Sequence, residues 1–182
     1  KDTLWVNTDE IPGNGIDDDG NGYVDDVYGW NFYNNNNQIF TGEEDSHGTH
    51  GAGTISAGTG NGIGIAGIVP GNRVRVMALK ALGGTDGGGS TAAVIKAIRY
   101  AEDNGAVICN LSLTSTVDDK ALYEAMKNSS MLFVVATGNG NPKTGKGVDT
   151  DAIPFYPAAY DLDNIISVAN LSIDGTLSAS SK

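Results

Sequence analysis

Strand and helix signals alternate along residues 47–182, and this alternation limits the folds that the chain can adopt. Four short, mostly apolar runs predict buried strands, because a strand that is covered on both faces loses the apolar–polar alternation. The first of them begins with alternation and then turns continuously apolar. These runs are residues 73–79, 107–112, 131–136 and 164–169. Strands that alternate with helices are typical of parallel sheets with helices on both faces. The sequence therefore predicts an α/β fold of three layers, α/β/α, with a mostly parallel sheet.

The helix boundaries between these strands are marked by capping residues. Ser90 is a good N-cap, and Gly105 can supply the left-handed residue that ends a helix, so a helix is predicted through Asn104. A second helix is expected to begin after Asp118 or Asp119, either of which can cap it.

The first 46 residues have a different composition. They are dominated by Gly, Asn and Asp, and residues 1–50 carry eleven carboxylates against one lysine. We therefore divide the chain into an irregular acidic segment, residues 1–46, and an α/β core, residues 47–182. The net charge of -11 argues against a nucleic-acid partner. No apolar stretch approaches the ~20 residues of a membrane span.

The acidic segment contains the front of a calcium-binding loop. Oxygen donors recur at alternate positions and a glycine follows the third, which is the pattern that Ca²⁺ requires of a tightly curled backbone. The predicted ligands are Asp17, Asp19, Asn21, the backbone carbonyl of Tyr23, Asp25 and, as the closing ligand, Asp26. A helix–loop–helix site would need a carboxylate where Tyr28 stands, so we expect a free-standing loop. The alternative is an acidic turn that binds no metal.

The two histidines, His47 and His50, lie in the sequence Asp-Ser-His-Gly-Thr-His-Gly-Ala-Gly-Thr of residues 45–54. A histidine is most often a hydrogen-bonded structural residue, and a pair three residues apart can share a metal ion. The small neighbours supply no third ligand and suit a helix whose first turn faces a cleft. There a neutral imidazole can act as a general base.

The only cysteine, Cys109, lies in an apolar run and is expected to be a small buried side chain. A nucleophilic role is the alternative, but no neighbouring residue in the sequence would lower the pKa of its thiol.

Several blocks together resemble the subtilisin-like serine proteases, the subtilases of peptidase family S8. Residues 46–54 resemble the block around the family's catalytic histidine, and residues 134–139, Val-Val-Ala-Thr-Gly-Asn, resemble the block that completes its oxyanion hole. Residues 110–113 resemble the strand that pairs with bound peptide, and residues 155–168 also fit. The opening residues 4–30 are similar to an insertion found in some bacterial and protozoan members.

The resemblance implies a role for each matching residue. His47 would be the general base, Asn139 the oxyanion donor, and Ser112, Leu113 and Thr114 the strand that binds a polypeptide substrate. The triad aspartate and serine of the family match no residue here, so we expect the chain to be a middle part of a catalytic domain and inactive alone. Its partners would be the segments that carry those residues. The resemblance further implies stabilisation by Ca²⁺ and a secreted or cell-surface location.

Two departures from the family pattern support other hypotheses. Gly51 stands where a valine is usual, and Thr114 and Ser115 replace paired glycines, so a side chain at Thr114 can crowd the specificity pocket. A non-catalytic homologue that binds peptide or regulates another protease is the main alternative. A calcium-binding extracellular structural domain is the third hypothesis.

Overall fold

The computed structural model describes residues 3–69, 73–140, 144, 146–178 and 181. Contacts divide the chain into two compact units, Lys1–Ala97 and Ile98–Lys182. Both units combine helices with parallel strand pairs, which confirms the predicted α/β class. The composition boundary at residue 46 stays a prediction.

In the first unit, two short strands pair in parallel. Strand β1, Gly29–Asn31, lies beside β2, Ala78–Lys80, with Gly29 opposite Ala78. Gly29 has a φ of 128°, and a Cβ there would lie 2.0 Å from the backbone oxygen of Ala78, so this close approach requires glycine. Strand β2 begins later than the predicted run 73–79, because Val76 pairs only with Leu4 in an isolated parallel bridge. Strand β1 lies inside the segment that composition marks as irregular.

Helix α1, Ser46–Ser56, follows a single 3₁₀ turn, Glu43–Asp45. The carbonyl groups at its C-terminal end are satisfied by the glycine-rich segment that comes next. The N–H groups of Ile68 and Val69 donate to the carbonyls of Thr54 and Ile55 at 2.9 and 3.0 Å. This segment therefore returns along the end of α1 and fixes its last turn.

The predicted capping residues bound the next two helices. Helix α2, Thr91–Asp103, begins after Ser90, whose hydroxyl accepts the N–H of Ala93 at 3.1 Å. It ends at Gly105, which has a φ of 79°, and the next N–H returns to the carbonyl of Ala101 at 2.9 Å. Helix α3, Lys120–Lys127, is capped by Asp119. Among the described residues, no helix is long and apolar enough to cross a membrane.

The second unit contains a three-stranded parallel sheet with the order β3–β4–β5. Strand β3 is Ile108–Leu111, β4 is Leu132–Ala136 and β5 is Ile165–Val168. These bounds confirm three of the four predicted strands to within one residue at every end. The register places Leu111 opposite Val135, so β3 and β4 end at the same edge of the sheet.

The two faces of this sheet differ in burial. Leu111, Phe133 and Val135 point to one face and are at most 8% exposed. The opposite face carries Ile108 and Ile166, which are 59% and 49% exposed. A parallel sheet is normally covered on both faces. From this open apolar face we expect the isolated chain to associate.

Candidate functional site

His47 is the second residue of α1 and lies in its exposed first turn. Its imidazole forms no hydrogen bond with another residue that the structure describes. One turn later, His50 borders an open apolar depression together with Phe40 and Ile65. The small side chains around His47 leave its ring accessible, which is the arrangement that a general base requires.

A metal site on the histidine pair has no support in the described ranges. There, a group of three metal-ligating side chains forms in the acidic segment and includes neither His47 nor His50. Two imidazoles without a third ligand make a poor metal site.

The turn before α1 is held by a buried lysine. The ammonium of Lys80 lies 2.7 Å from carboxylate oxygens of both Glu44 and Asp45, and it donates to the Thr41 hydroxyl at 2.9 Å. Burial alone would raise the pKa of Asp45, but the hydrogen bonds from Lys80 and Thr41 outweigh it and lower this pKa. Burial likewise opposes the charge on Lys80, yet its two carboxylate partners raise its pKa. Sequence reasoning missed this network, since no local motif joins residues that are 36 positions apart.

In the second unit, the predicted substrate strand and the predicted oxyanion donor lie at one edge of the sheet. Ser112, Leu113 and Thr114 continue beyond the end of β3, and Asn139 comes three residues after the end of β4. Because β3 and β4 are adjacent and parallel, both segments leave the sheet at its carboxyl-end edge. In doubly wound sheets, ligands bind at this edge.

The backbone of residues 112–114 and the side chain of Asn139 are accessible, whereas the backbone of Asn139 pairs with Ser181 in an isolated antiparallel bridge. No backbone hydrogen bond joins residues 112–114 to another described residue. The next residue, Ser115, forms two backbone hydrogen bonds with Tyr156, each 2.8 Å long. Asn139 is exposed, and its side-chain amide has no hydrogen-bond partner in the part of the chain that is described. Residues 112–114 therefore keep the unpaired backbone groups that the addition of an extended peptide would need. His47 belongs to the first unit and Asn139 to the second, and their convergence on one substrate stays a prediction.

The acidic segment brings three carboxylates together: Glu10, Asp19 and Asp26 each offer an oxygen, and these oxygens lie within 4.8 Å of one another. Asp26 is fully buried and Glu10 is 5% exposed. The amide of Asn7 bridges two of the carboxylates, donating to Asp19 at 2.9 Å and to Asp26 at 2.8 Å. Asn21 bridges the same pair at 3.0 Å to each.

The predicted calcium ligands divide into two groups. Asp19, Asn21 and Asp26 belong to this cluster. Asp17 instead accepts the N–H groups of Asn21 and Gly22, and Asp25 accepts three N–H groups from residues 13–15. The ring of Tyr23 packs edge-on against Trp30, with ring centroids 5.1 Å apart, and anchors the loop.

Glu10 is a candidate ligand that the loop motif does not contain, because it precedes the motif by seven residues. Its carboxylate accepts the N–H groups of Asp18 at 2.8 Å and Asp25 at 2.9 Å, so it also organises the loop. Its position in a segment rich in Asp and Gly is the only sequence signal that it gives.

The donor set fits Ca²⁺. The three carboxylates offer hard oxygen ligands, which Ca²⁺ prefers. Burying like charges together is costly unless a cation or hydrogen bonds offset their repulsion. Burial alone would raise the pKa of Asp19, but hydrogen bonds from Asn7 and Asn21 outweigh it and the pKa is lowered. The charged form of the Asp19 carboxylate is therefore favoured, which suits a cation ligand.

Comparison with known proteins identifies a family. The sequence model of the subtilase family, Peptidase_S8, matches residues 6–182. Thermitase from Thermoactinomyces vulgaris is 36% identical over 147 residues, which are 79% of this chain and 47% of the relative. Subtilisin-like protease 1 from Plasmodium falciparum is 32% identical over 182 residues, which are 94% of this chain and 26% of the relative.

A solved structure has a similar fold. The psychrophilic subtilisin-like protease Apa1 from Pseudoalteromonas sp. AS-11 matches with a TM-score of 0.62 and 26% identity, over 78% of this chain and 30% of that protein. The chain spans less than half the length of each of these relatives.

Proposed function

The chain belongs to the subtilase family, and on this premise we propose that it forms the middle part of the catalytic domain of a calcium-stabilised serine endopeptidase. The substrate would be a polypeptide. The triad aspartate and serine would come from further segments of the same catalytic domain, which are the chain's proposed partners.

The observation that carries this proposal is the shared edge of β3 and β4. There the open segment of residues 112–114 would hold an extended substrate. The exposed side-chain amide of Asn139, which has no hydrogen-bond partner among the described residues, would donate to the oxyanion that develops on the scissile carbonyl.

His47 would act as the general base. It would take the proton from the serine hydroxyl and return it to the leaving amine, while the aspartate fixes its tautomer. Its place in the exposed first turn of α1 supports this role. A general base without a nucleophile cleaves nothing, so the 182 residues alone should be inactive.

The cluster of Glu10, Asp19 and Asp26 would hold a structural Ca²⁺. Asn21 would be a further ligand once its amide oxygen, which now accepts the N–H of Tyr23, turns towards the ion. Asp17, Tyr23 and Asp25 remain proposed members of the loop. The ion would supply the positive charge that the acidic segment lacks. We also propose a secreted or cell-surface location, because weak Ca²⁺ sites are filled where calcium is abundant.

Active-site labelling tests the proposal. A fluorophosphonate probe should react with the serine of the full-length protein and leave the 182-residue chain unlabelled. The full-length His47→Ala variant should label far more slowly than the wild type. Absence of labelling in the correctly folded full-length wild type would refute the proposal.

A second candidate function is a non-catalytic homologue that binds peptide. The side chain of Thr114 favours it, since Thr114 is exposed on the open strand beside the proposed specificity pocket. Under this function, the full-length protein would bind peptide but would not react with the probe. The residue at the position of the family's serine separates the two functions directly.

A further inference from the structure

Lys80 is a buried cation that the proposed mechanism does not use. It is the last residue of β2, and its side chain is 5% exposed. Lysine is almost never fully buried unless it is paired. Its three contacts, to Thr41, Glu44 and Asp45, match the three donors of an ammonium group, so its charge is fully engaged by the turn before α1.

Asp45 occupies the N-cap of α1 but does not cap it. An aspartate at this position ordinarily accepts the N–H of the second or third helical residue, here His47 or Gly48. In this chain one carboxylate oxygen of Asp45 meets Lys80, and the other accepts the N–H of Thr41 at 2.6 Å and its hydroxyl at 3.0 Å. No side-chain cap bond forms at α1. Lys80 and Thr41 therefore hold Asp45 away from the backbone of His47.

We propose that Lys80 is a positioning residue for His47. It fastens the turn Glu43–Asp45 to the end of β2 and thereby fixes the backbone from which α1 starts. This inference rests on the proposed function, in which His47 is the general base. Asp45 and His47 are separated by one residue, so a rotation of Asp45 into a cap changes the direction of the first helical turn.

Replacement of Lys80 by methionine keeps an unbranched apolar stem of four heavy atoms and removes the ammonium group. Asp45 is then free to accept the N–H of His47 or Gly48. A displacement of about 1 Å in a catalytic group can lower the rate about 100-fold. We expect Lys80→Met to lower kcat at least ~10-fold with KM changed less than ~2-fold, since the proposed substrate strand does not involve Lys80. Lys80→Arg keeps the charge and should restore most of the rate.

The test uses the full-length protein with the variants K80M, K80R and the triple variant E44Q/D45N/K80M. The triple variant removes the unpaired carboxylates, and its asparagine in place of Asp45 is also a good cap. It should regain thermal stability relative to K80M while its labelling by a fluorophosphonate stays slow. Lys96→Met, an exposed lysine on α2, is the matched control and should label at the wild-type rate.

The outcomes separate this inference from the proposed function. If the wild type labels and K80M labels equally fast, Lys80 does not position His47. If the triple variant recovers both stability and rate, the role of Lys80 is charge balance alone and the inference is wrong. If the folded wild type does not label at all, the proposed function fails, and this inference fails with it.

Discussion

Asn7 donates its side-chain amide to the buried carboxylate of Asp26 across 2.8 Å and to that of Asp19 across 2.9 Å. Asn7 is itself only 5% exposed. A neutral amide thus lies between the carboxylate of Asp26, which is buried, and that of Asp19, which is exposed. An amide can reduce the repulsion between two carboxylates but cannot cancel it, whereas a divalent cation can.

Neutralising either buried carboxylate of this cluster should weaken calcium binding. We expect Glu10→Gln and Asp26→Asn each to raise the Kd for Ca²⁺ by at least about 10-fold. Metal affinity falls by about this factor even when the residue removed is only a hydrogen-bond partner of a ligand. Calcium should also raise the Tm of the wild type more than that of either variant. Calorimetry and thermal unfolding, with Ca²⁺ and with a chelator, measure both effects.

Asp86→Asn removes an exposed carboxylate of the same unit and serves as the control. Equal Ca²⁺ affinity in all four proteins would exclude this cluster as the site.

Removing the side-chain amide of Asn139 should reduce turnover and leave substrate binding nearly intact. The proposed hydrogen bond forms only as the oxyanion develops, so Asn139→Ala should lower kcat with little change in KM. The loss known for the corresponding donor of a subtilisin is ~10²–10³-fold in kcat, and we carry that figure over. Steady-state kinetics of the full-length protein on a peptide substrate measures it. Asn37→Ala changes an exposed loop and should have no effect. A rise in KM with unchanged kcat would contradict the assigned role.

Local signals in the sequence predicted the strands of the second unit and the caps of α2 and α3, because such features depend on residues close together in the chain. Ser90 and Asp119 cap α2 and α3 as expected, since a cap acts within one turn. The predictions were weaker in the first unit. Glu10 and Lys80 contribute through contacts with residues 15 and 36 positions away, and no short motif encodes such pairs. The start of β2 depends on which of its residues pair with a neighbouring strand. In the part of the chain that is described, Val76 forms an isolated bridge to Leu4 and does not extend the pairing with β1.

The Lys80 network should stabilise the folded chain only within a window of pH. Folding lowers the pKa values of Glu44 and Asp45. Their contribution to the free energy of unfolding is therefore fully present above the pKa of about 4 that they have in the unfolded chain, and it is lost as the pH falls through their pKa values in the folded chain. Folding raises the pKa of Lys80. Its contribution to the free energy of unfolding is therefore fully present below the unfolded pKa of about 10.4, and it is lost as the pH rises through the pKa in the folded chain.

We therefore expect the wild type to exceed E44Q/D45N in free energy of unfolding between about pH 5 and pH 10. The difference should shrink towards about pH 3. Denaturant unfolding at several pH values measures it, and Glu124→Gln, which changes an exposed carboxylate of α3, controls for net charge. A difference that does not vary with pH would show that the ionised pair is not its source.

Cys109 should be unreactive in the folded chain. Burial raises the pKa of its thiol to about 11, so the thiolate fraction at about pH 8 is on the order of 10⁻³. Iodoacetamide should therefore modify the native chain about 100-fold more slowly than the chain in denaturant, where the pKa is near about 8.5. Intact mass spectrometry follows the reaction, and no other cysteine contributes. Rapid native labelling would instead support the nucleophilic alternative.

The two adjacent aspartates before α3 allow the cap to be separated from the charge. One carboxylate oxygen of Asp119 accepts the N–H groups of Ala121 at 2.8 Å and Leu122 at 3.2 Å, whereas Asp118 is exposed and forms no cap bond. Both charges lie near the positive end of the helix dipole. Asp119→Ala should lower the free energy of unfolding by about 1 kcal/mol.

Asp118→Ala loses the same charge and should cost less than about 0.5 kcal/mol. Asp119→Asn keeps an acceptor for the two N–H groups and should lie close to the wild type, because the cap needs an oxygen and not a negative charge. Denaturant unfolding of the three variants tests this order. The cap matters to the unit because Leu122 and Met126, on the same helix, are buried at 7% and 0% exposure. If Asp118→Ala were as destabilising as Asp119→Ala, the helix dipole and not the cap would account for the stabilisation.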